Sequence, residues 1–290
     1  MHDRWLLGAQ PRLFDLVVSE WQPTGVPTGG DGVTVVSAPG PRNDGYARYF
    51  AQNPQIFDQY ASIALIDDDV LIDTDGINAC FTLGEDHGLE LWQPSLTWDS
   101  YFSYAFTLHN PLFELRFCNF VEMMCPFFSS RLLRLAAPTF SLGYLVGIDT
   151  LWTRLLEDGA LKYAVIDAVS ATHTRPIGLN KALHGFAGGS GYAQEIGDLL
   201  GRLGLEFRGP VIYAGVSKRG RRVSNRPLLS AAVSALAPAL AAARNRRFML
   251  ARLADHARHI LTRPINNAPI PLASIEALRA ERQSSPAVAD

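Results

Sequence analysis

A strand-like run, SIALI at residues 62–66, is apolar from Ile63 onwards and stops abruptly at three aspartates, Asp67, Asp68 and Asp69. A β-rich run in which apolar residues follow one another without alternation is typical of a strand in a sheet that helices cover on both faces. Other strand-like runs, LFDLVVSEW and GVTVVSA, alternate with a segment of helical spacing, GYARYFAQNPQIFDQY, in the first part of the chain. The sequence therefore predicts an α/β fold.

The size and charge of the chain limit the classes of function that it can have. The 290 residues are 48% hydrophobic and 19% charged, which provides enough apolar material for one sizeable globular domain. The net charge of -2 and the isoelectric point near 6.4 give no global reason to expect a nucleic-acid partner. We therefore expect none.

The cysteines and the apolar segments bear on the compartment. Cys80, Cys118 and Cys125 lack the C-x-x-C spacing of a zinc site or a redox motif, and their odd number does not indicate a disulfide framework. The start of the chain does not resemble a secretory signal. The most apolar run, residues 228–243, is interrupted by Pro238 and is shorter than the roughly 20 residues that span a bilayer. We expect a cytoplasmic protein.

The three aspartates predict a metal site. In a strand, side chains alternate between faces, so Asp67 and Asp69 would point the same way and Asp68 the other way. Two carboxylates at the carboxyl end of an α/β strand suit Mg²⁺ or Mn²⁺, which also binds substrate phosphate oxygens. The alternative is a solvated acidic loop that includes Asp73 and Asp75.

Five motifs occur in a fixed order along more than half of the chain, from about Phe14 to Gly178. They are IALIDDDV, LELWQPSLTWDSY, NFVEMMCPFFS, TFSLGYLVGIDTLW and YAVIDAVSATHTRPIG. In this order the chain resembles the bacterial and plant family called domain of unknown function 707, which looks like glycosyltransferases of the A-type fold. The resemblance implies a mixed, Rossmann-like sheet flanked by helices. It also implies a nucleotide-sugar donor and a D-x-D motif that binds Mn²⁺ or Mg²⁺.

Mapped onto this chain, the resemblance places the metal on Asp67, Asp69 and His173. The sequence makes His173 a candidate independently, because it ends the apolar strand KYAVIDAVSATH and precedes a turn-like exit. The resemblance also implies that Asp149, at the amino end of a helix, takes the proton of the acceptor hydroxyl during an inverting transfer. Helix capping is the alternative role for Asp149, and a hydrogen bond to a loop is the alternative for His173.

Further residues belong to the matching motifs and have side chains that can bind sugars or phosphates. Donor contacts are expected at Asp67, Asp68, Gln93 and Arg175. Sugar or acceptor contacts are expected at Trp98, Asp99, Asn119 and Glu122. For each of these residues taken singly, a purely structural role is an equal alternative.

The chain departs from the family pattern in two places. The A-type fold normally opens with a strand that cradles the nucleotide base, whereas this sequence begins at what looks like the following loop, MHDRWLLGAQ. The first strand is therefore expected to be missing. The loop before Asp149 contains the apolar stretch Leu145, Val146 and Gly147, where the family has a polar loop.

Two other functions compete with a hexosyltransferase-like enzyme. VLIDTDGIN resembles the first motif of haloacid dehalogenase-like phosphatases, with Asp73 as nucleophile and Asp75 as acid/base. A catalytically inactive relative that only binds a sugar or nucleotide is the other alternative, since the first strand is expected to be absent.

The organisation predicted from the sequence has three parts. Residues 1–200 form the glycosyltransferase-like domain, residues 201–262 form a short strand and basic Ala/Leu-rich helices, and residues 263–290 form a loose tail. The acceptor would be a carbohydrate or a lipid-linked molecule. Positive charge late in the chain suits peripheral contact with the inner membrane face, and a solvated helical face is the alternative. The basic residues concerned are Lys218, Arg219, Arg221, Arg222, Arg244, Arg246, Arg247, Arg252 and Arg258.

Overall fold

The computed structural model of the chain describes residues 2–21, 32–178, 191–207, 209–234, 236, 240–241, 243–265 and 268–284. The strands are β1 (Leu16–Glu20), β2 (Val33–Ser37), β3 (Ser62–Ala64), β4 (Val70–Leu71), β5 (Leu91–Leu96), β6 (Phe113–Cys118), β7 (Phe127–Ser129), β8 (Tyr163–His173), β9 (Ile212–Ser217) and β10 (Arg222–Val223). The helices are α1 (His2–Trp5), α2 (Arg42–Gln52), α3 (Ile56–Gln59), α4 (Thr74–Asp86), α5 (Ser130–Ala136), α6 (Asp149–Trp152), α7 (Tyr192–Arg202), α8 (Arg226–Ser234), α9 (Arg246–Thr262) and α10 (Leu272–Ser284).

The main sheet is mixed and has the strand order β10-β9-β6-β8-β5-β7-β3, with β4 paired to the end of β8. β5 and β8 run parallel, and the other neighbours in this sheet are antiparallel. β1 and β2 form a separate parallel pair. The predicted α/β class, with a mixed sheet flanked by helices, is confirmed.

The core lies around β5 and β8. Every residue of β5 is buried, including the polar residues Gln93 and Ser95. The Trp92 indole is fully buried and donates a hydrogen bond to the Cys80 carbonyl of α4 at 2.8 Å. Gly84 makes this approach possible, because a Cβ there would lie 2.2 Å from the Trp92 ring.

The segment before β1 runs along α4 and is fixed there by hydrogen bonds. Trp5 donates from its indole to the Val70 carbonyl at 2.9 Å, and the Thr74 hydroxyl donates to the Trp5 carbonyl at 2.7 Å. Asp75 accepts from the amides of Ala9 and Gln10 at 2.8 and 2.9 Å. These contacts position β1 relative to α4.

The organisation of the carboxy-terminal third differs from the prediction. β9 lies inside the main sheet, between β10 and β6, so a boundary after residue 200 would divide one sheet. The tail that was predicted to be loose contains α10, which buries Ile275 and Leu278. The sequence does not reveal the position of β9 in the main sheet or the helix α10, because each element is stabilised by residues that are distant along the chain.

α9 packs through Met249, Leu253, His256 and Ile260. Within the described residues, the helices fall short of the length and apolar character that crossing a bilayer requires. The contact of the basic segment with a membrane surface stays a prediction.

Candidate functional site

A cavity of about 2050 Å³ opens beside the end of β3. Most of the site residues that the sequence predicts lie in its wall, because several chain segments end there. The predicted site residues that line it are Asp67, Asp68, Asp69, Glu122, Asp149, His173 and Arg175.

The strand pair β4–β8 brings Asp69 and His173 together. Val70 pairs with His173, and the Thr174 amide donates to the Asp69 carbonyl at 2.9 Å. The His173 Nε2 atom lies 3.2 Å from Asp69 Oδ2, while Nδ1 lies 2.9 Å from the Tyr101 carbonyl. Because a carbonyl can only accept, Nδ1 carries a proton, and Nε2 is left to face the carboxylate.

This contact shifts both pKa values. Burial by itself lowers the pKa of His173, but the hydrogen bonds to Asp69 and to the Tyr101 carbonyl outweigh burial and raise it. Burial by itself raises the pKa of Asp69, but the hydrogen bond and the charge of His173 lower it overall. Each group therefore favours the charged form of the other.

Asp67 faces a different cation. The Arg42 guanidinium, at the start of α2, donates to Asp67 Oδ2 in an ion pair. Burial raises the pKa of Asp67, and the Arg42 charge opposes this effect. The prediction that Asp67 and Asp69 converge on one ligand as alternate residues of a strand is wrong in its premise, because β3 ends at Ala64 and the following residues form a loop and a turn.

The Asp69 carboxylate fits a cation, and His173 can join it as a ligand only when its Nε2 atom carries no proton, because Nδ1 is protonated towards the Tyr101 carbonyl. Among the residues that the structure describes, no three His, Cys, Asp or Glu side chains are close enough together to hold a metal alone. However, one oxygen of the Asp69 carboxylate, Oδ2, contacts His173, while the other, Oδ1, is buried and has no hydrogen-bond partner within the described residues. Mg²⁺ is commonly held by one or two carboxylates together with substrate phosphates and water, so a partial set of protein ligands suits it.

Two carboxyl groups occupy another part of the cavity wall. Asp149 begins α6, and its Oδ2 atom accepts from the Met123 amide at 3.3 Å. Burial raises the pKa of Asp149 to about 6. Burial, with the nearby Asp149 charge, raises the pKa of Glu122 to about 8. Glu122 Oε2 is buried and has no hydrogen-bond partner within the described residues.

Separated pKa values give these two groups different roles near neutral pH. Asp149 is ionised above about pH 6 and can accept a proton, whereas Glu122 holds its proton up to about pH 8. Gln93 orients this region, because its side-chain oxygen accepts from the Glu122 amide at 2.8 Å. The wall is therefore suited to acid–base chemistry.

Four predicted contact residues are not on the cavity wall. Gln93 is fully buried and supports the Glu122 backbone. Trp98 donates from its indole to the His109 carbonyl at 3.1 Å, and Asn119 accepts from the Val211 amide at 2.7 Å. Asp99 is exposed, and its carbonyl accepts from Arg244. The structure therefore gives Gln93, Trp98 and Asn119 structural roles and gives no support to direct ligand contacts from these four residues.

The phosphatase alternative requires free carboxylates on Asp73 and Asp75, but both carboxylates accept hydrogen bonds from backbone amides. Asp73 caps α4 by accepting from the Gly76 amide at 2.8 Å, and Asp75 accepts from the amides of Ala9 and Gln10. Neither residue lines the cavity. A nucleophile needs a free oxygen aimed at the substrate, and these contacts oppose that arrangement.

Sequence reasoning missed Arg42 and Tyr46. Both line the cavity from α2, where residues four apart share one face. Burial and the nearby Asp67 charge raise the pKa of the Tyr46 phenol above its usual range, although Arg42 opposes this shift. The spacing of an arginine and a tyrosine on one helical face is visible in the sequence, but their distant partner Asp67 is not.

Comparisons of the chain with models of protein families, with curated proteins and with solved structures gave no match in any of the three.

Proposed function

We propose that the chain is a metal-dependent glycosyltransferase that moves a sugar from a nucleotide-sugar donor to a hydroxyl acceptor, with inversion. The observation that carries this proposal is that one cavity wall holds Asp69 with His173, Arg42 with Asp67, and the carboxyl groups of Asp149 and Glu122. Transfer from a nucleotide-sugar needs a charged end for the diphosphate and a base for the acceptor. This wall offers candidates for both.

The proposal includes the A-type glycosyltransferase fold and kinship with the family called domain of unknown function 707. Two features support it. The sheet is mixed and flanked by helices, and the aspartates follow a strand of that sheet and face a large cavity. Active sites of α/β folds commonly lie at the carboxyl ends of strands.

In this proposal the charged end binds the diphosphate. Asp69, together with His173 in its neutral form, would hold Mn²⁺ or Mg²⁺, which would supply positive charge for the departing diphosphate. Arg175, which is half-exposed and pairs with Asp68 at 3.2 Å, lies on the same wall and offers a second positive charge. Asp67 holds the guanidinium of Arg42 in place.

Asp149 acts on the acceptor. With a pKa of about 6 it is mostly ionised at neutral pH, yet it remains basic enough to take a proton from the attacking hydroxyl. Glu122 keeps its proton and can donate a hydrogen bond to a sugar hydroxyl. The burial of both groups, at 8% and 5% exposure, limits competition from water.

The test is metal-dependent donor binding followed by a transfer assay. We expect uridine and guanosine nucleotide-sugars, screened by thermal shift, to include one that raises the melting temperature with Mn²⁺ present and not with chelator. Asp69→Asn should abolish this shift because it removes a charged ligand. Asp158→Asn should not, since this carboxylate is exposed and lies outside the cavity.

The transfer assay separates an enzyme from an inactive relative. We expect Asp149→Asn to keep the metal-dependent donor shift and to slow transfer about 10²- to 10⁴-fold, the usual contribution of a general base. The proposal is overturned if no donor stabilises the chain with metal present. Metal-dependent donor binding without transfer to any hydroxyl acceptor tested would instead support the inactive relative.

A further inference from the structure

The cavity continues along the edge of two strands that face it. Every residue of β1, Leu16–Glu20, lines the cavity, and so does every residue from 62 to 69. Successive side chains of a strand point to opposite faces, so an unbroken run of lining residues means that the cavity lies along the edge of the strand. By contrast, β2 contributes only Thr34 and Val36, which share one face.

The backbone hydrogen bonds identify the groups at these two edges. The Leu16 amide and the Glu20 carbonyl bond towards β2, so the intervening backbone groups of Val17 and Ser19 point the other way. On the second edge, residues 61, 65 and 67 bond towards the segment that contains β7. The backbone groups of residues 62, 64 and 66 therefore face the cavity. Within the described part of the chain, the structure gives these five residues no backbone partner on that side.

One side-chain bridge crosses between the two edges. The Tyr60 hydroxyl donates to Asp15 Oδ2 at 2.6 Å. Asp15 directly precedes β1 and Tyr60 lies just before β3, so the two strands start at the same end of the gap. Neighbouring strands lie about 4.8 Å apart, so one inserted strand would need edges about 10 Å apart. A tyrosine and an aspartate that reach towards each other can span such a separation, whereas direct backbone bonds cannot.

The side chains around the gap are mainly apolar and aromatic. Tyr46 and Phe50 of α2 and Ile77 and Phe81 of α4 all line the cavity. Phe14, which leads into β1, packs against Phe81 at a ring-centroid distance of 6.3 Å. A strand placed in this gap would therefore be in apolar surroundings, which favours a continuous apolar, β-branched sequence over an alternating one.

We infer that the gap between β1 and β3 is a docking slot for one extended peptide strand of about six residues, apolar and rich in β-branched side chains, supplied by another polypeptide. Its backbone would bond to Val17 and Ser19 on one side and to residues 62, 64 and 66 on the other. The inserted strand would join the β1–β2 pair to the main sheet. This inference does not depend on the proposed glycosyl transfer.

Hydrogen exchange with a strand-forming peptide tests the slot. The full chain would be incubated with a synthetic peptide of six alternating valines and isoleucines flanked by lysine pairs, and amide exchange would be followed by mass spectrometry. We expect exchange to slow about tenfold or more in peptic fragments that cover residues 16–20 and 62–67, because edge amides gain partners. A peptide with two central prolines, which cannot form the ladder, should give no protection.

A matched pair of variants locates the contact on one edge. Val17→Pro removes an amide that faces the gap and leaves the β1–β2 bonds in place, so it should fold and lose the protection. Ala64→Pro does the same on the other edge. Exchange in β5 and β8 without peptide verifies that each variant is folded. The inference is overturned if the peptide protects neither edge, if it protects the Val17→Pro and Ala64→Pro variants as well as the parent chain, or if the proline-containing peptide protects equally.

Discussion

Single residues two positions apart have different partners in this molecule. Asp67 pairs with Arg42 and Asp69 contacts His173, although both belong to one run of three aspartates. The difference arises because the run lies in a loop and a turn, where the alternation of a strand no longer applies. A D-x-D spacing therefore identifies a charged site without showing which carboxylate meets a cation.

Glu122 makes stability depend on pH. Its pKa is raised to about 8 by burial, so the folded chain keeps a proton that the unfolded chain releases above about pH 4.3. A group whose pKa is higher in the folded chain contributes to the free energy of unfolding. This contribution is fully present below the pKa of the unfolded chain and is lost as the pH rises through the pKa of the folded chain. The free energy of unfolding should therefore decrease between about pH 4.3 and pH 8, by at most about 1.4 kcal/mol per pH unit from this group.

Glu122→Gln should flatten that part of the stability profile, because glutamine stays neutral at every pH. Urea unfolding at half-unit steps from pH 5 to pH 8 measures the slope directly. Glu157→Gln is the matched control, since Glu157 is exposed and should leave the profile of the parent chain unchanged. Parallel profiles for the parent chain and Glu122→Gln would contradict a protonated, buried Glu122.

At the scale of elements, the contact between α4 and β5 depends on one missing side chain. A Cβ at Gly84 would lie 2.2 Å from two atoms of the Trp92 ring, which is itself fully buried. Gly84→Ala should therefore destabilise the chain by about 1–3 kcal/mol, as overpacking of a core does, although alanine favours helices. Thermal unfolding followed by circular dichroism measures the change.

α7 supplies the control for that substitution. A Cβ at Gly197 meets no atom within 4 Å, and the residue lies inside the helix. Gly197→Ala should therefore stabilise the chain by about 0.5–1 kcal/mol through helix propensity alone. Equal effects of the two substitutions would refute the close approach of α4 to the Trp92 ring.

At the scale of the whole molecule, the sequence predicts the centre of the fold better than its edges. β5 and β8 arise from the strand-like segments LELWQPS and KYAVIDAVSATH, whose residues become buried on both sides of the sheet for most of their length. The apolar, strand-like run LFDLVVSEW favours a buried strand and does form β1, but Val17 is 39% exposed. The local pattern reports strand character, whereas burial depends on which strands lie alongside.

The candidate site follows the same division. His173 could be proposed from the sequence because it ends an apolar strand, whereas Asp149 was proposed through the family resemblance; both line the cavity. Arg42 could not be linked to Asp67 in the same way, since the two residues lie 25 positions apart and meet only when α2 packs near the end of β3. Pairings of this kind depend on the packed arrangement of elements and leave no periodic trace in the sequence.

The two-residue strand β4 affects how easily the aspartate–histidine pair can be retained as the sequence diverges during evolution. Its pairing with β8 sets Val70 opposite His173, and this backbone register places Asp69 against the imidazole. The backbone positions of the two residues are thus set by main-chain bonds, which many different side chains permit, and another main-chain group, the Tyr101 carbonyl, orients the imidazole. Insertions or drift in the connecting segments can accumulate over generations without separating the pair, provided that these few main-chain bonds persist. Descendants could therefore diverge widely in sequence and still carry the same aspartate–histidine pair.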